Sequence, residues 1–320
     1  MAPTTPSLRD VAEAAGVGYG TASRALTGKG YVSPETKQKV LDAAHKLNYR
    51  PNYLAKALRE DRTNLVGVIL PDLINEFYSD ATQVIQDRLA EAGYQMLVIA
   101  APDAHAQDRA VQTLLDHRVA GIITVPVSGV EPVSQVPAVQ LNRAQVPGIP
   151  AVISNDHAGF AALGKRFFRP GMRVTAIVGD PGLSTTRNRV QGLRESAADT
   201  GAELTVLSGT YSSESGYNLT AQACAEGVPD LLIVCSPRLM AGAVVQLREQ
   251  GLNWPDDIRV VGYDDPEWYS MVGMSAVLPP HKEMGRAAVD TLLALFDGRD
   301  TPELQELMPH YVDRGSLDQL

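Results

Sequence analysis

"SLRDVAEAAGVGYGTASRALTGKGYVSPETKQKVLDAAHKLNY", residues 7–49, holds the clearest structural pattern in this 320-residue chain. It opens with a helix that Ser7 can cap, whose apolar face consists of Leu8, Val11, Ala12 and Ala15. Gly16 predicts a sharp exit from this helix, because glycine adopts positive φ at little cost. Small residues at helical spacing indicate a second helix from about residue 18 to 26, so the two helices predict a helix-turn-helix.

A third helix is predicted within "SPETKQKVLDAAHKLNY", residues 33–49. Ser33 can cap it, Pro34 suits its first turn, and Glu35 lies near the positive end of the helix dipole. Its buried stripe is expected to consist of Val40, Leu41, Ala44 and Leu47.

The second helix separates small residues from polar ones. Its small side allows close packing against the other two helices, and its polar side carries Tyr19, Thr21, Ser23 and Arg24. Hydroxyl groups can contact phosphate oxygens, and an arginine can address O6 and N7 of guanine, as a DNA recognition helix requires. A small helical bundle with an arginine on its surface explains the same residues, so the chemistry of this helix leaves both interpretations open.

Charge divides the chain into a basic start and an acidic remainder. Residues 1–62 hold 10 lysines and arginines against 6 acidic residues, whereas the rest of the chain holds 18 against 31. The net charge of −9 therefore hides a basic module on an acidic body. Such a module suits a nucleic-acid partner, although charged runs also occur on ordinary solvated surfaces.

Composition argues against several other classes of protein. The length of 320 residues predicts two or three domains. No apolar run approaches the roughly 18 residues of a membrane span, and the start lacks an apolar signal core, so a cytoplasmic protein with no membrane partner is expected. Cys224 and Cys235 do not form a C-x-x-C pair, which argues against a disulfide framework or a zinc site. Nothing in the sequence implies a cofactor.

Residues 8–59, from "LRDVAEAAG" to "YLAKALR", closely resemble the DNA-binding region of LacI/GalR-family transcription regulators. The resemblance implies that DNA is contacted by Tyr19, Gly20, Thr21, Ser23, Arg24 and Tyr31. Among these, Tyr19, Gly20 and Arg24 fall where family members read base edges, and Thr21 and Ser23 fall where they touch phosphate. Two positions depart from the family: Gly18 replaces a common capping serine, and Gly20 lacks a side chain where bases are read.

Residues 51–62, which begin with "PNYLAKALRED", are expected to form a hinge helix and linker. Pro51 ends the preceding element, and Asn52 can cap a helix of barely two turns, which is marginal in water on its own. A plain linker with helical tendency is the alternative. The resemblance implies a helix that orders on DNA and pairs with its dimer mate in the minor groove, with Leu58 as an apolar wedge and Lys56 near the backbone.

From residue 63 the chain alternates short apolar segments with amphipathic helical ones. Strands are predicted at residues 64–71, 94–101, 120–127, 137–142, 173–180, 231–236 and 258–265. Helices are predicted between several of them, at residues 79–94, 108–120, 186–201 and 239–252. This alternation predicts parallel sheets covered on both faces, in two Rossmann-like subdomains that face a cleft at the carboxyl ends of their strands.

The family resemblance implies an α/β fold with a three-helix helix-turn-helix head plus hinge helix, joined to a two-subdomain periplasmic-binding-protein-like core with parallel sheets. The expected limits are 1–50 for the head, 51–62 for the hinge helix and linker, and 63–320 for the effector-binding and dimerisation core. The chain is expected to cross between subdomains near residues 152, 280 and 306. These crossings give an N-subdomain of about 63–152 and 281–306 and a C-subdomain of about 153–280 and 307–320.

The resemblance also places a small-molecule effector in the cleft, contacted by Asp72, Asn75, Phe77, Asn142, Arg189, Ser236, Asp264 and His281. A carboxylate and a guanidinium can bind neighbouring hydroxyls of a sugar while an aromatic ring covers its face. Other roles stay open: Asp264 can cap a turn, Arg189 can pair with Glu195 or Asp180, and His281 can be structural. Ser236 and Pro237 stand where family members often have Asn-Asp. This difference argues against an ordinary hexose as the effector and leaves a sugar derivative or another metabolite as candidates.

These observations predict a transcriptional repressor that binds double-stranded, pseudo-palindromic operator DNA as a homodimer, because one recognition helix covers only a few base pairs. The C-terminus lacks an extended heptad, which favours a dimer over a tetramer built on a coiled coil. A solute-binding receptor would share the two-lobed core, but the first sixty residues and the missing secretion signal argue against it. "SNDH", residues 154–157, holds the residue types of a catalytic triad, yet adjacency in sequence gives no triad geometry, so no enzyme is expected.

Substitution Leu58→Ala tests the expected wedge. Loss of the side chain should weaken binding to the operator far more than binding to unrelated DNA, because only the specific complex unstacks a base step. Equilibrium binding to both DNAs measures this, and equal losses on the two would argue against the wedge.

Overall fold

The computed structural model describes residues 6–28, 30–49 and 63–317. The chain forms two compact units, with the division between Thr63 and Asn64. Within the described residues, no helix is both long enough and apolar enough to span a membrane.

The first unit contains the three predicted helices, α1 (Leu8–Ala14), α2 (Tyr19–Thr27) and α3 (Pro34–Lys46). Ser7 caps α1 in a capping box: its hydroxyl accepts a hydrogen bond from the Asp10 N–H, and the Asp10 carboxylate accepts one from the Ser7 N–H. Ser33 caps α3 by accepting a hydrogen bond from the N–H of Thr36. Gly16 has a φ of 64°, which confirms the predicted sharp exit from α1.

Small side chains make up most of the core of this head. The buried residues are Val11, Ala12, Ala22, Ala25, Val40, Ala43 and Ala44. The stripe predicted for α3 is wrong at Leu41, which is 40% exposed. Residues 40, 43, 44 and 47 share one face at spacings of three and four, whereas Leu41 lies about 100° around the helix from Val40. Ala43 occupies the core position expected for Leu41.

Two six-stranded sheets form the second unit. The strands of the first sheet are β1 (Leu65–Leu70), β2 (Gln95–Ala100), β3 (Gly121–Thr124), β4 (Ala138–Leu141), β5 (Ala151–Ser154) and β11 (Leu304–Leu307). They are all parallel, in the order β11-β5-β4-β3-β1-β2. The second sheet consists of β6 (Arg173–Val178), β7 (Glu203–Ser208), β8 (Leu231–Val234), β9 (Arg259–Tyr263), β10 (Ser275–Leu278) and β12 (His310–Val312). Its order is β12-β10-β9-β8-β6-β7, and β12 runs antiparallel to β10.

Helices cover both faces of each sheet. They are α4 (Glu76–Glu91), α5 (Ala104–Asp116), α6 (Asp156–Phe167), α7 (Ser184–Thr200), α8 (Ser213–Ala225), α9 (Pro237–Glu249), α10 (Glu267–Met271) and α11 (His281–Phe296). Helices α4 and α11 pack on one face of the first sheet and α5 on the other. On the second sheet, α6 and α7 cover one face, and α9 covers the other. The two covered sheets confirm the predicted α/β core.

The chain passes between the two sheets three times. It leaves the first sheet after Ser154, returns between Leu278 and His281, and leaves again between Leu307 and His310. Two chain segments therefore build each lobe, which ties the lobes together at the crossings. The domain limits expected from the sequence stay predictions, and the segment 51–62 lies outside the described residues.

Glycines allow two helices of the second lobe to touch through their backbones. A Cβ on Gly242 of α9 would overlap the carbonyl oxygen of Ser213 and lie 2.6 Å from the backbone nitrogen of Tyr217. A Cβ on Gly216 of α8 would overlap the carbonyl oxygen of Leu239. Because backbone atoms cannot move aside as a flexible side chain does, the close packing of α8 and α9 requires glycine at both positions.

Substitution Gly242→Ala should lower the free energy of unfolding by about 1–3 kcal/mol, because the added methyl group overpacks the α8–α9 contact. Helix propensity alone would change stability by about 1 kcal/mol in the opposite direction. Denaturant unfolding of the full chain measures the effect. Val245→Ala is the matched control, since Val245 lies exposed on the same helix and its truncation should cost less than about 0.5 kcal/mol. A variant Gly242→Ala as stable as the wild type would contradict the contact.

Candidate functional site

The exposed face of α2 carries the residues predicted to read DNA. Tyr19 is 53% exposed, and Gly20 and Arg24 are exposed beside it. Thr21 and Ser23 are partly buried. The first turn of α2 contains no acidic residue, and Gly18 caps the helix without a side-chain hydrogen bond. This face therefore combines the positive end of a helix with an arginine and several hydroxyl groups.

Arg24 lies along its own helix. Its Nε donates a hydrogen bond of 3.1 Å to the carbonyl oxygen of Gly20. A Cβ on Gly20 would meet no atom within 4 Å, so the space where a side chain of residue 20 would lie is open. Tyr31 is 88% exposed, shortly after the end of α2. The structure thus leaves Tyr19, Gly20, Arg24 and Tyr31 accessible on the head.

The other predicted DNA contacts, Asn52, Lys56 and Leu58, lie outside the described residues.

A cavity of about 360 Å³ lies between the two lobes of the second unit. Seven of the eight predicted effector contacts line it: Asp72, Asn75, Phe77, Asn142, Arg189, Ser236 and Asp264. Several of them follow the carboxyl ends of strands: Asp72 comes after β1, Asn142 after β4 and Asp264 after β9. Parallel α/β sheets commonly bind ligands at this edge.

Arg189 of α7, which lines the cavity together with Tyr263, forms a buried cluster with Tyr263 and Asp156. Its Nε donates to the Asp156 carboxylate at 2.7 Å, and its Nη1 donates to the carbonyl oxygen of Cys235 at 2.9 Å. Its guanidinium carbon lies 3.5 Å from the ring centroid of Tyr263, whose hydroxyl donates to the same Asp156 carboxylate at 2.9 Å. The alternative pairing of Arg189 with Glu195 or Asp180 is wrong, since its carboxylate partner is Asp156.

Burial and charge act in opposite directions on this cluster. Burial alone would lower the pKa of Arg189, but neighbouring Tyr263 and Asp156 hold the pKa above its ordinary value. Burial raises the pKa of Tyr263, and the Asp156 carboxylate raises it further, although Arg189 opposes them. Burial also raises the pKa of the nearby Cys235 thiol to about 12, so this cysteine is an unreactive core residue at neutral pH.

Asp264 connects the cavity with His281, the predicted contact that does not line it. Asp264 has a φ of 62°. Its Oδ1 lies 3.1 Å from Nε2 of His281, the first residue of α11. The His281 ring meets the Phe77 ring edge-on, with centroids 4.7 Å apart. His281 therefore lies behind two cavity residues and faces a second cavity of about 310 Å³.

Sequence reasoning missed the cavity residues Tyr263, Arg143, Asp180 and Tyr211. It also missed Asp156, which does not line the cavity but holds Arg189 and Tyr263. Asp156 lies within "SNDH", where the only functional hypothesis was a catalytic one. Ser154, Asp156 and His157 do not form a triad: the Ser154 hydroxyl has no hydrogen-bond partner among the described residues, Asp156 pairs with Arg189, and His157 pairs with Glu195 on the surface at 2.7 Å. A signal for Arg143 was present, because it directly follows Asn142 at the carboxyl end of a predicted strand.

Comparison with known proteins adds independent information on both units. Residues 7–52 match the family model "Bacterial regulatory proteins, lacI family", and residues 165–317 match "Periplasmic binding protein-like domain". The chain is 30% identical over 340 residues to the HTH-type transcriptional regulator MalR of Streptomyces coelicolor, covering 98% of this chain and 96% of the relative.

Solved structures agree with these matches. A putative transcription regulation repressor of the LacI family from Corynebacterium glutamicum is 43% identical, with a TM-score of 0.76, covering 80% of this chain and all of the other. The lac repressor dimer bound to operator and the anti-inducer ONPF is 28% identical, with a TM-score of 0.85, covering 98% of this chain and 99% of the other.

The matches span nearly the whole chain and confirm the resemblance found in its first sixty residues. The chain belongs to the lacI family of DNA-binding transcription regulators.

Proposed function

We propose that this protein is a repressor that binds a pseudo-palindromic operator as a homodimer and responds to a small-molecule effector in the cavity between its lobes. The observation that carries the proposal is that α2 has two different faces, one packed in the core of the head and one accessible to DNA. Its small residues Ala22 and Ala25 lie in the core of the head, whereas Tyr19 and Arg24 stay exposed and Thr21 and Ser23 are only partly buried. Such a helix can enter the major groove without disturbing its own domain.

The roles of the head residues follow from their chemistry. Arg24 addresses a guanine edge, and Tyr19 and the open backbone at Gly20 approach neighbouring bases. Thr21 and Ser23 donate to phosphate oxygens, which fix the register without reading sequence. Tyr31 supplies a further contact beside α2. Asn52, Lys56 and Leu58 act in the minor groove as the hinge orders.

A dimer suits this mode of binding because one recognition helix covers too few base pairs to select a site in a genome. The structurally similar lac repressor was solved as a dimer on its operator. We place the protein in the bacterial cytoplasm, where the chromosome lies, and assign it no cofactor or catalytic role.

The cavity suits a polyhydroxylated effector. Arg189, Asp72 and Asn75 bring donors and acceptors to one cavity, which the aromatic ring of Phe77 also lines. Binding of an effector between the lobes would change how far the lobes close on each other. In the proposed dimer, this would change the distance between the hinge segments of the two protomers. Effector and DNA must then alter each other's affinity by the same factor, whether the effector weakens or strengthens DNA binding.

Substitution Arg24→Ala should weaken operator binding by about 1–3 kcal/mol and leave binding to bulk DNA much less changed, because it removes a base contact. Fluorescence anisotropy measures both affinities, on a genomic fragment selected by the wild-type protein and on bulk DNA. Lys39→Ala is the control, since it removes an exposed cation that pairs with Glu35 within α3. Equal losses for the two variants would contradict the role of Arg24.

Substitution Asp264→Asn should raise the effector concentration for half-maximal response about tenfold and leave effector-free DNA binding within about twofold of wild type, since asparagine tolerates this backbone conformation but carries no charge. Operator titrations with a panel of sugars, sugar acids and sugar phosphates measure the response. Asp297→Asn, at the exposed end of α11, is the control. An unchanged effector response in Asp264→Asn would place the effector elsewhere.

A further inference from the structure

Arg143 is a buried cation whose described partners are all neutral. It follows β4 and lines the cavity between the lobes, and only 7% of the residue is exposed. Its Nη1 donates to the carbonyl oxygen of Pro126 at 3.0 Å, and its Nη2 to the hydroxyl of Tyr78 at 3.4 Å. Burial raises the pKa of this tyrosine to about 12, so its hydroxyl supplies no negative charge at neutral pH.

The third nitrogen of the Arg143 guanidinium donates no hydrogen bond within the part of the chain that the structure describes. Its Nε is buried and has no hydrogen-bond partner among the described residues. No described carboxylate forms an ion pair with Arg143, in contrast to Arg189, whose charge is balanced by Asp156 at 2.7 Å. A buried guanidinium without a counter-charge carries a desolvation penalty that the neutral carbonyl and hydroxyl do not offset. The two cavity arginines are therefore electrostatically different.

The carboxylates that line the cavity already have partners within the protein. Asp72 accepts from the N–H groups of Ile74 and Asn75, both at 2.9 Å. Asp180 accepts from the Ser128 hydroxyl at 3.1 Å and from the Gly182 N–H at 2.8 Å. Asp264 contacts His281. Each carboxylate oxygen can accept a further hydroxyl, so these acids suit the neutral part of a ligand and leave Arg143 without its anion.

A second cation faces the same cavity from the other lobe. Arg238 lies in the first turn of α9, and its guanidinium has no partner among the described residues. The N-terminus of α7 also lies at the cavity: its N-cap residue Leu183 supplies no side-chain hydrogen bond, although Oε1 of Gln145 accepts one from the N–H of Ser184 at 2.7 Å. Arg143 belongs to the first sheet's lobe and Arg238 to the second's, so an anion in the cavity would be attracted from both sides.

We propose that the effector is a polyhydroxylated molecule with an acidic oxyanion group, a carboxylate or a phosphate, and that Arg143 binds this group. The inference rests on the proposed effector function of the cavity and narrows its chemistry. The hydroxyl groups of the ligand meet Asp72, Asp264 and Arg189, and the oxyanion supplies the counter-charge of Arg143. A neutral sugar satisfies the first set of contacts and leaves the buried cation unbalanced.

Thermal unfolding of the full chain with matched probes tests the proposal. Gluconate and glucose 6-phosphate are compared with sorbitol and glucose, and galactonate and galactose 1-phosphate with galactitol and galactose, all at constant ionic strength. The carboxylates and phosphates in the panel separate the two kinds of oxyanion. Each probe is applied to the wild type, to Arg143→Gln and to Arg109→Gln, which removes an exposed arginine from α5 and matches the change in charge.

At least one acidic probe should raise the Tm of the wild type and of Arg109→Gln by about 2 °C or more, and its neutral counterpart should raise it less. Arg143→Gln should lose this rise. Arg143→Lys serves as a second variant in case Arg143→Gln does not fold. Lysine keeps the positive charge but lacks the planar guanidinium group, so the acidic probe should raise the Tm of Arg143→Lys less than that of the wild type.

Two results would overturn the proposal. One is a panel in which no acidic probe raises the Tm of the wild type. The other is a neutral sugar that stabilises the wild type and Arg143→Gln alike and also changes operator affinity. This second result would support the effector function of the cavity and rule out only an acidic group on the effector. Failure of this inference can therefore be distinguished from failure of the proposed function.

Discussion

The cavity depends on one buried interaction, the guanidinium of Arg189 held between the Asp156 carboxylate and the Tyr263 ring. Three elements meet there, because Asp156 begins α6, Arg189 lies on α7 and Tyr263 ends β9. Removing one partner of such a pair typically costs about 3–5 kcal/mol, since the other charge stays buried without compensation. The cluster thus fixes the geometry of three elements at once, and with it one wall of the cavity.

Much of the fold was predictable from sequence because buried parallel strands are apolar on both faces. All seven predicted segments contain strands of the structure. The strands that were missed have weaker signals. At the sheet edges, β7 and β11 alternate exposed and half-buried residues, and β12 has only three residues. Inside the sheets, β5 and β10 offer only three apolar residues in a row.

Site residues could be predicted from sequence where the strand order alone brings them to the cavity. They could not be predicted where their position depends on how the helices pack. Residues after β1, β4 and β9 reach the cavity because parallel strands end at one edge, which the strand pattern indicates. The partner of Arg189 is separated from it by 33 residues and begins another helix. Sequence proximity suggested Glu195 and Asp180 instead, because the contact of α6 with α7 leaves no local signal. The prediction for Leu41 failed for a simpler reason, since an apolar residue next in sequence to a buried one points about 100° away from it and stays 40% exposed.

Near the second crossing, a cavity residue of the second lobe contacts the helix that begins the return to the first lobe. Asp264 directly follows β9 in the second lobe, while His281 begins α11, which packs on the first sheet. They contact each other directly, and Phe77, a cavity residue of the first lobe, packs against the His281 ring. Under the proposed function, a ligand hydroxyl that bonds to Asp264 would share the carboxylate with His281 and adjust the contact at the start of α11. Because α11 packs along α4 and the strands of the first sheet, such an adjustment would reach a helix that is anchored across the whole lobe. Binding of the proposed effector would in this way be coupled to the angle between the lobes.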